Sequence, residues 1–285
     1  CLVWNQDLVM AFFKLLNFHK KLIGEDHYLE IQLIQMLGEC KNVFNIVCLN
    51  DQEEVLEKYV ETLSVLLENY LLSNNHSAVE IVMCCYDNLE NLCLRPLTTD
   101  KDIEDTMYLI FCRTVDLHFV STKRRITTKN KHGEAISDFI LHLLSNYTLK
   151  SKNVLLKFIK SLLSNPDHKF EREKFQKLLD VAVKYELAIY WKCNESILEY
   201  LQKLVISSDH RQRLNGVEFA GKMLLINTTP DTSDLLNIDK VPREVHLIKI
   251  LFERIYDKLD NVKLKALTSI KSAILNGNDN TKKIF

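Results

Sequence analysis

Glycine and proline are scarce in this 285-residue chain, at 6 and 4 residues. Tight sheet turns and phosphate-cradling loops need glycine, for positive φ or for close backbone approach to a ligand. Both are therefore disfavoured. No GxxxxGK, GxGxxG or GxSxG string occurs, so neither phosphate binding nor a nucleophile elbow has support. Long apolar runs are missing as well. No stretch reaches the roughly 20 residues that span a bilayer. The opening Leu8-Val9-Met10-Ala11-Phe12-Phe13 run is broken by Lys14 and continues with helical spacing, as a core helix does and a signal peptide does not. Neither sign of charge dominates, with 37 Lys and Arg against 38 Asp and Glu. The net charge of −1 excludes a globally basic nucleic-acid binder but leaves room for a local basic patch.

Cysteine is present but unpatterned. The 8 cysteines, at positions 1, 40, 48, 84, 85, 93, 112 and 193, include no CxxC pair. The vicinal Cys84-Cys85 cannot readily close a bridge on a helix, and most of the others sit among apolar neighbours as small hydrophobes. A reducing compartment, cytoplasmic or nuclear, follows. None of the 9 histidines stands at HExxH spacing or beside cysteine at zinc-ligand spacing. No metal, no cofactor, no small-molecule substrate and no catalytic residue is expected. Asn-x-Ser/Thr strings at Asn75, Asn146, Asn194 and Asn227 are what an Asn-rich chain produces by chance. A chain that opens on Cys1 and stops at Phe285 is expected to be a piece of a longer protein.

What is there is helical periodicity. Apolar residues make up 47% of the chain and recur at spacings of three and four almost throughout. From Asp51 to Leu72, the residues Leu56, Tyr59, Val60, Leu63, Leu67, Tyr70 and Leu71 line one stripe. Asn50 with Glu53, Ser77 with Glu80 and Thr99 with Asp102 have the spacing of capping boxes, in which side chains satisfy the amides of the first turn. The pattern predicts helices over 3–21, 27–38, 51–72, 77–93, 99–120, 133–147, 151–164, 170–190, 194–206, 209–226, 244–259 and 261–275. Softer joints fall at 121–132 and 227–242, the latter carrying Pro230 and Pro242. So many amphipathic helices are hard to arrange around one compact core. The expected fold is all-α: residues 1–285 as a single array of antiparallel helix pairs in an α-solenoid.

The most regular pattern runs from Leu247 to Ile270. An apolar helix leads to Asp257, a very short turn holds Asp260-Asn261, and a second helix opens with Val262-Lys263. Val262, Ala266 and Ile270 share one face, where a small Ala lets paired helices approach closely. Asp260 or Asn261 is placed to cap the second helix. A weaker echo at 208–225 puts Arg213, Val217 and Ala220 at matching positions, with Arg213 fifty residues before Lys263. Asn215-Gly216 also spells a hairpin turn. The stripe Leu214, Val217, Gly221, Leu224 runs straight through it, so a helix with a tight contact at Gly216 is preferred.

The 244–275 segment resembles a HEAT repeat. Ile250-Leu251-Phe252-Glu253-Arg254, Asp257-Lys258, Asn261-Val262-Lys263 and Lys265-Ala266-Leu267-Thr268-Ser269 are similar to the HEAT subunits of condensins, in particular the large D-type subunits of condensin II. Lys263 departs from the pattern, because arginine is commoner there. The resemblance implies a HEAT-like solenoid and a nuclear, non-catalytic scaffold. Such a scaffold would engage a kleisin-type partner and contact double-stranded DNA or chromatin while mitotic chromosomes condense. The alternative is a HEAT-like adaptor in transport or signalling that binds peptide segments of protein partners.

Other constellations have competing uses. Ser121 to His132 holds Lys123, Arg124, Arg125, Lys129 and Lys131 without an acid. This stretch is a candidate for phosphate contact on duplex DNA. It also suits a nuclear-import signal, a linker phosphorylated at Thr127 and Thr128, or an ordinary solvated loop. With few aromatics nearby, backbone contact is favoured over base stacking. The acidic groups Asp51, Glu53, Glu54, Glu57 and Asp100, Asp102, Glu104, Asp105 offset helix dipoles or bind a basic partner; the former is preferred. Glu253 and Asp257, one turn apart, read as solvated acids. Tyr185, Tyr190 and Trp191 read as helix–helix core before a partner pocket.

Overall fold

A computed structural model describes residues 27–46, 53–71, 77–94, 99–115, 129–164, 172–188, 190–225 and 243–277, with isolated positions at 14, 73, 117 and 282. Every regular element among these residues is an α-helix. In order they are α1 (His27–Ile46), α2 (Glu53–Tyr70), α3 (Ala78–Leu94), α4 (Asp100–Val115), α5 (Lys129–Asn146), α6 (Thr148–Ser164), α7 (Arg172–Ala188), α8 (Tyr190–Val205), α9 (His210–Leu225), α10 (Arg243–Arg254) and α11 (Asp260–Asn276). The chain is therefore all-α over its described length. No helix among the described residues is long and apolar enough to cross a membrane.

Several ends differ from the periodicity. The helix expected over 27–38 continues to Ile46. Gly38 does not stop it because its side is open, while Leu33, Leu37 and Cys40 keep one stripe buried past it. The expected 99–120 helix is regular to Val115. Its start is as read: Thr99 N and Oγ1 donate to Asp102 Oδ2 at 2.9 and 2.6 Å, and Asp102 N donates to Thr99 Oγ1 at 3.2 Å. That is a complete capping box. The helix expected over 244–259 ends at Arg254, and Asp257 lies in the turn that follows. The helix expected over 3–21, the Asn50 cap and the 227–242 joint lie outside the described residues.

The helices gather into two compact units, residues 1–154 and 155–285. In the first, α3 is central and packs on α1, α2 and α4. Tyr59, Leu63, Leu66 and Leu67 of α2 and Ile81, Cys85 and Leu89 of α3, two helices that pack together, are fully buried. Each fully buried leucine contributes on the order of 2 kcal/mol by removal from water. Tyr86 of α3 stacks on Phe139 of α5 with ring centres 4.4 Å apart. In the second unit α9 is central, packed on α7, α8, α10 and most extensively α11. Asn215 to Gly221, Met223 and Leu224 are all buried. Gly216 sits inside α9, not in a hairpin turn, and a Cβ there would press on Val205 and Leu204 of α8. Tyr185 is buried in the core of this unit; the side chains of Tyr190 and Trp191 lie outside the described residues.

Candidate functional site

The residues singled out in the repeat-like segments meet at one place, the junction of α9 with the α10–α11 turn. Arg213, in the first turn of α9, forms two hydrogen bonds with the Asp257 carboxylate. Nε donates to Oδ2 at 2.9 Å and Nη2 to Oδ1 at 3.1 Å. Its third nitrogen donates to the carbonyls of Ser207 and Ser208, at 2.8 and 3.1 Å. Arg254 brings a second guanidinium 3.5 Å from Asp257 Oδ2 and donates to the Val205 carbonyl at 2.9 Å. Leu259 N donates to Asp257 Oδ1 at 3.1 Å. Asp257, whose side chain is only 2% exposed, is thus surrounded by donors. Burial pushes its carboxyl up. The Arg213 hydrogen bonds, the Leu259 amide and the charges of Arg213 and Arg254 outweigh that and hold it below the ordinary value.

This arrangement also changes how α11 begins. Its N-cap is Leu259, which has no capping side chain. Asp260 is already helical and binds Lys263 at 3.0 Å, and Asn261 Oδ1 accepts from the next amide, Val262 N, at 2.8 Å. The turn is set chiefly by Asp257, three residues beyond the end of α10. Val262, Ala266 and Ile270 are buried on α11, and Val217 and Ala220 on α9. Among the described residues Lys263, unlike Arg213, binds only Asp260, on its own helix. Lys265 instead binds Glu218 of α9. A Cβ on Gly221 would strike Ser269 of α11, so glycine there permits the close crossing of the two helices.

The basic segment is different. Lys123, Arg124 and Arg125 lie outside the described residues. Lys129 and Lys131 belong to the first turns of α5, which begins three residues before the expected joint ends. Among the described residues, three of the eight acids are engaged by other helices, and Asp102 caps its own. Glu57 accepts from Arg113 at 3.1 Å, Asp100 from Lys150 at 2.9 Å, and Glu104 from Asn153 at 2.7 Å.

A buried polar cluster in the first unit escaped sequence reading. Tyr59 Oη donates to Asn88 Oδ1 at 2.7 Å. Asn88 Nδ2 donates to the carbonyls of Leu37 and Cys84, at 3.0 and 2.8 Å. One amide thereby joins α1, α2 and α3. Asn91 Nδ2 extends the link to the Lys41 carbonyl at 3.2 Å. The nearby Cys40 thiol donates to the Met36 carbonyl, and burial pushes its pKa up to about 12. Burial likewise pushes Cys85 and Tyr59 well up. These groups stay protonated at neutral pH, so the cluster supplies hydrogen bonds and no nucleophile. Among the described residues no group of three or more His, Cys, Asp or Glu is placed to hold a metal ion. No protein-family model and no curated protein matches the chain.

Proposed function

We propose that the chain is a non-catalytic scaffold of stacked antiparallel helix pairs, a HEAT-like α-solenoid that works by holding partners. The observation that carries this reading is the register of the polar cross-links. In the first unit Lys41 pairs with Asp87, Glu57 with Arg113, Glu90 with His142, and Glu104 with Asn153. In the second, Asp180 pairs with Lys222, Glu218 with Lys265, and Arg254 with the Val205 carbonyl. Each joins a helix to the second described helix along, across 42 to 56 residues. A stack of helix pairs requires contacts between equivalent helices of successive repeats, at about 40 to 47 residues for HEAT-like arrays. Three of the seven, at 42, 46 and 47 residues, fall within that interval and the other four exceed it by up to nine; a cross-link that recurs at about this spacing supports the solenoid.

Within that class we assign the chain to a condensin-type complex, in the nucleus, with a kleisin-type subunit as protein partner. Duplex DNA is its second partner, through Lys123, Arg124, Arg125, Lys129 and Lys131. The similarity of Leu247 to Ile270 to condensin HEAT subunits supports the assignment. Fluorescence anisotropy with duplex DNA over a range of salt tests it. Affinity is expected to fall steeply with salt, the log–log slope steepening by about 0.9 per phosphate contact. Replacing the five cations by Glu should abolish binding. Unchanged affinity in that variant removes the DNA role, and failure to bind a purified kleisin removes the condensin assignment.

A further inference from the structure

Helices α8 and α10 repeat one another at a shift of fifty residues. Ile197, Leu198 and Leu201 of α8 correspond to Leu247, Ile248 and Leu251 of α10, and all six are buried. Both helices pack on α9 and on each other. Arg254, the last residue of α10, donates to the carbonyl of Val205, the last of α8. The two therefore lie side by side and run the same way. Their sides turned away from α9 are open. Glu199 and Lys203 stand there on α8, Lys249 and Glu253 on α10, all exposed. In the turn after each helix, Ile206 and its counterpart Tyr256 are 66% and 87% exposed, and Phe252 is half-exposed beside them. Although α10 lies against α8, α8 keeps this face open, so the openness belongs to the layer and not to the last helix pair.

We propose that this face is a dimer interface, its occupant the same face of a second copy of the chain. Charge complementarity selects that occupant. Glu199 and Lys249 share one level of the layer, and Lys203 and Glu253 the next, about 6 Å along. Sign thus alternates over four corners, and none of the four groups forms an ion pair among the described residues. A two-fold axis parallel to the helices lays α8 of one copy over α10 of the other. Glu199 then meets Lys249 and Lys203 meets Glu253, each pair occurring twice, while Ile206 meets Tyr256. A partner of a single sign would instead set like charges against two of the four corners. Tyr256 and Phe252 supply the aromatic side chains in which binding energy concentrates. Two helix ends of about two turns each make a contact below the roughly 800 Å² per partner of a standard interface, so a Kd on the order of 10–100 µM is expected. The surface rests on the packing of α8 to α10 and does not depend on membership of a condensin-type complex.

Sedimentation velocity of the whole chain in reducing buffer, loaded from about 5 to 500 µM to bracket that Kd, tests it. A reversible monomer–dimer equilibrium is expected. Ile206→Ser with Tyr256→Ser should weaken it by about tenfold or more. Lys249→Glu sets two carboxylates against each other and Glu199→Lys two ammonium groups, so each alone should weaken the dimer by about tenfold. Combined, the two exchanges restore opposite pairing, and the double variant should dimerise as the parent does. A chain that stays monomeric throughout overturns the proposal, whatever else the face binds. So does a dimer that the apolar variant leaves intact, or charge variants that weaken nothing or that the double exchange does not rescue.

Discussion

The two units solve the same problem with different chemistry. Each ties helices that are not neighbours in the chain together through a buried polar group. In the first unit the tie is neutral: Asn88 donates to α1 and accepts from Tyr59 of α2. The second has a neutral tie of the same kind, Asn215 Nδ2 donating to the Leu163 carbonyl of α6 at 3.1 Å, and adds an ionic one: Asp257 accepts from Arg213 of α9, with Arg254 close by. An amide both donates and accepts, so a single side chain can serve two neighbours and its own helix. A carboxylate only accepts and must collect donors from several elements. The difference teaches that these positions demand reach and full satisfaction, not a particular charge. The sign of the group then decides how the unit responds to pH.

The largest effect is expected where a buried charge loses its partner. Asp257→Ala leaves Arg213, whose side chain is 11% exposed, without its counter-ion. That should destabilise the second unit by about 3–5 kcal/mol. Hydrogen exchange read by segment checks this: protection should collapse across α9–α11 and persist across α1–α4. The Asp257 carboxyl is held below its ordinary value. Its contribution is therefore fully present above about pH 3.9, the unfolded value, and is lost as pH falls through the lower folded value. Asp257→Asn should remove that acid dependence. Equal exchange in the parent and in Asp257→Ala would erase the ionic side of the comparison.

The neutral side is broken by Asn88→Ala. Tyr59 Oη then loses its acceptor and the Leu37 carbonyl a donor, inside a core closed to water. The expected loss is about 2–3 kcal/mol, confined to the first unit. It should be the same from pH 4 to pH 8, because burial keeps Tyr59 protonated far above that window. Urea unfolding followed by exchange in α1–α4 measures it. A loss that varied with pH would show that the network contains a titrating group, and the contrast between the units would fail.

Helices were legible in the sequence because a buried stripe at period 3.6 needs no knowledge of the partner. The α4 start was legible for a similar reason, since Thr99 and Asp102 satisfy each other locally. The end of α10 was not. Its apolar stripe runs on past Arg254, and what stops it is a carboxylate claimed by Arg213, 44 residues earlier. Asn88 and Asn91 were missed on the same ground. Asparagines amid leucines and cysteines look like surface positions unless the carbonyls of Leu37 and Lys41, about fifty residues away, are known to face them. Arg213 and Asp257 were each singled out, yet Asp257 was expected to be a solvated acid and is buried. The repeat pattern assigned capping of α11 to Asp260 or Asn261 and gave no hint that Arg213 and Asp257 bind each other. Polar long-range pairing leaves no periodic trace.

The smallest effect separates burial from charge. Arg113 and Glu57 join α4 to α2 at 3.1 Å, as Glu218–Lys265 joins α9 to α11 in the second unit, but their side chains are 42% and 59% exposed. Water solvates both groups whether or not they meet, and holding two long side chains together costs rotamer entropy. Arg113→Ala should therefore cost no more than about 1 kcal/mol, less in high salt. A double-mutant cycle with Glu57→Ala, read from urea unfolding of the first unit, isolates the pairwise contribution. A coupling near that of the Asp257 cluster would mean that charge alone, wherever it lies, ties the helices together. A coupling of a few tenths of a kcal/mol, as expected for exposed pairs, places the strength of the ties in exclusion from water. It would then be the buried Asn88 and Asp257, and not the more numerous surface pairs, that fix the register of each unit.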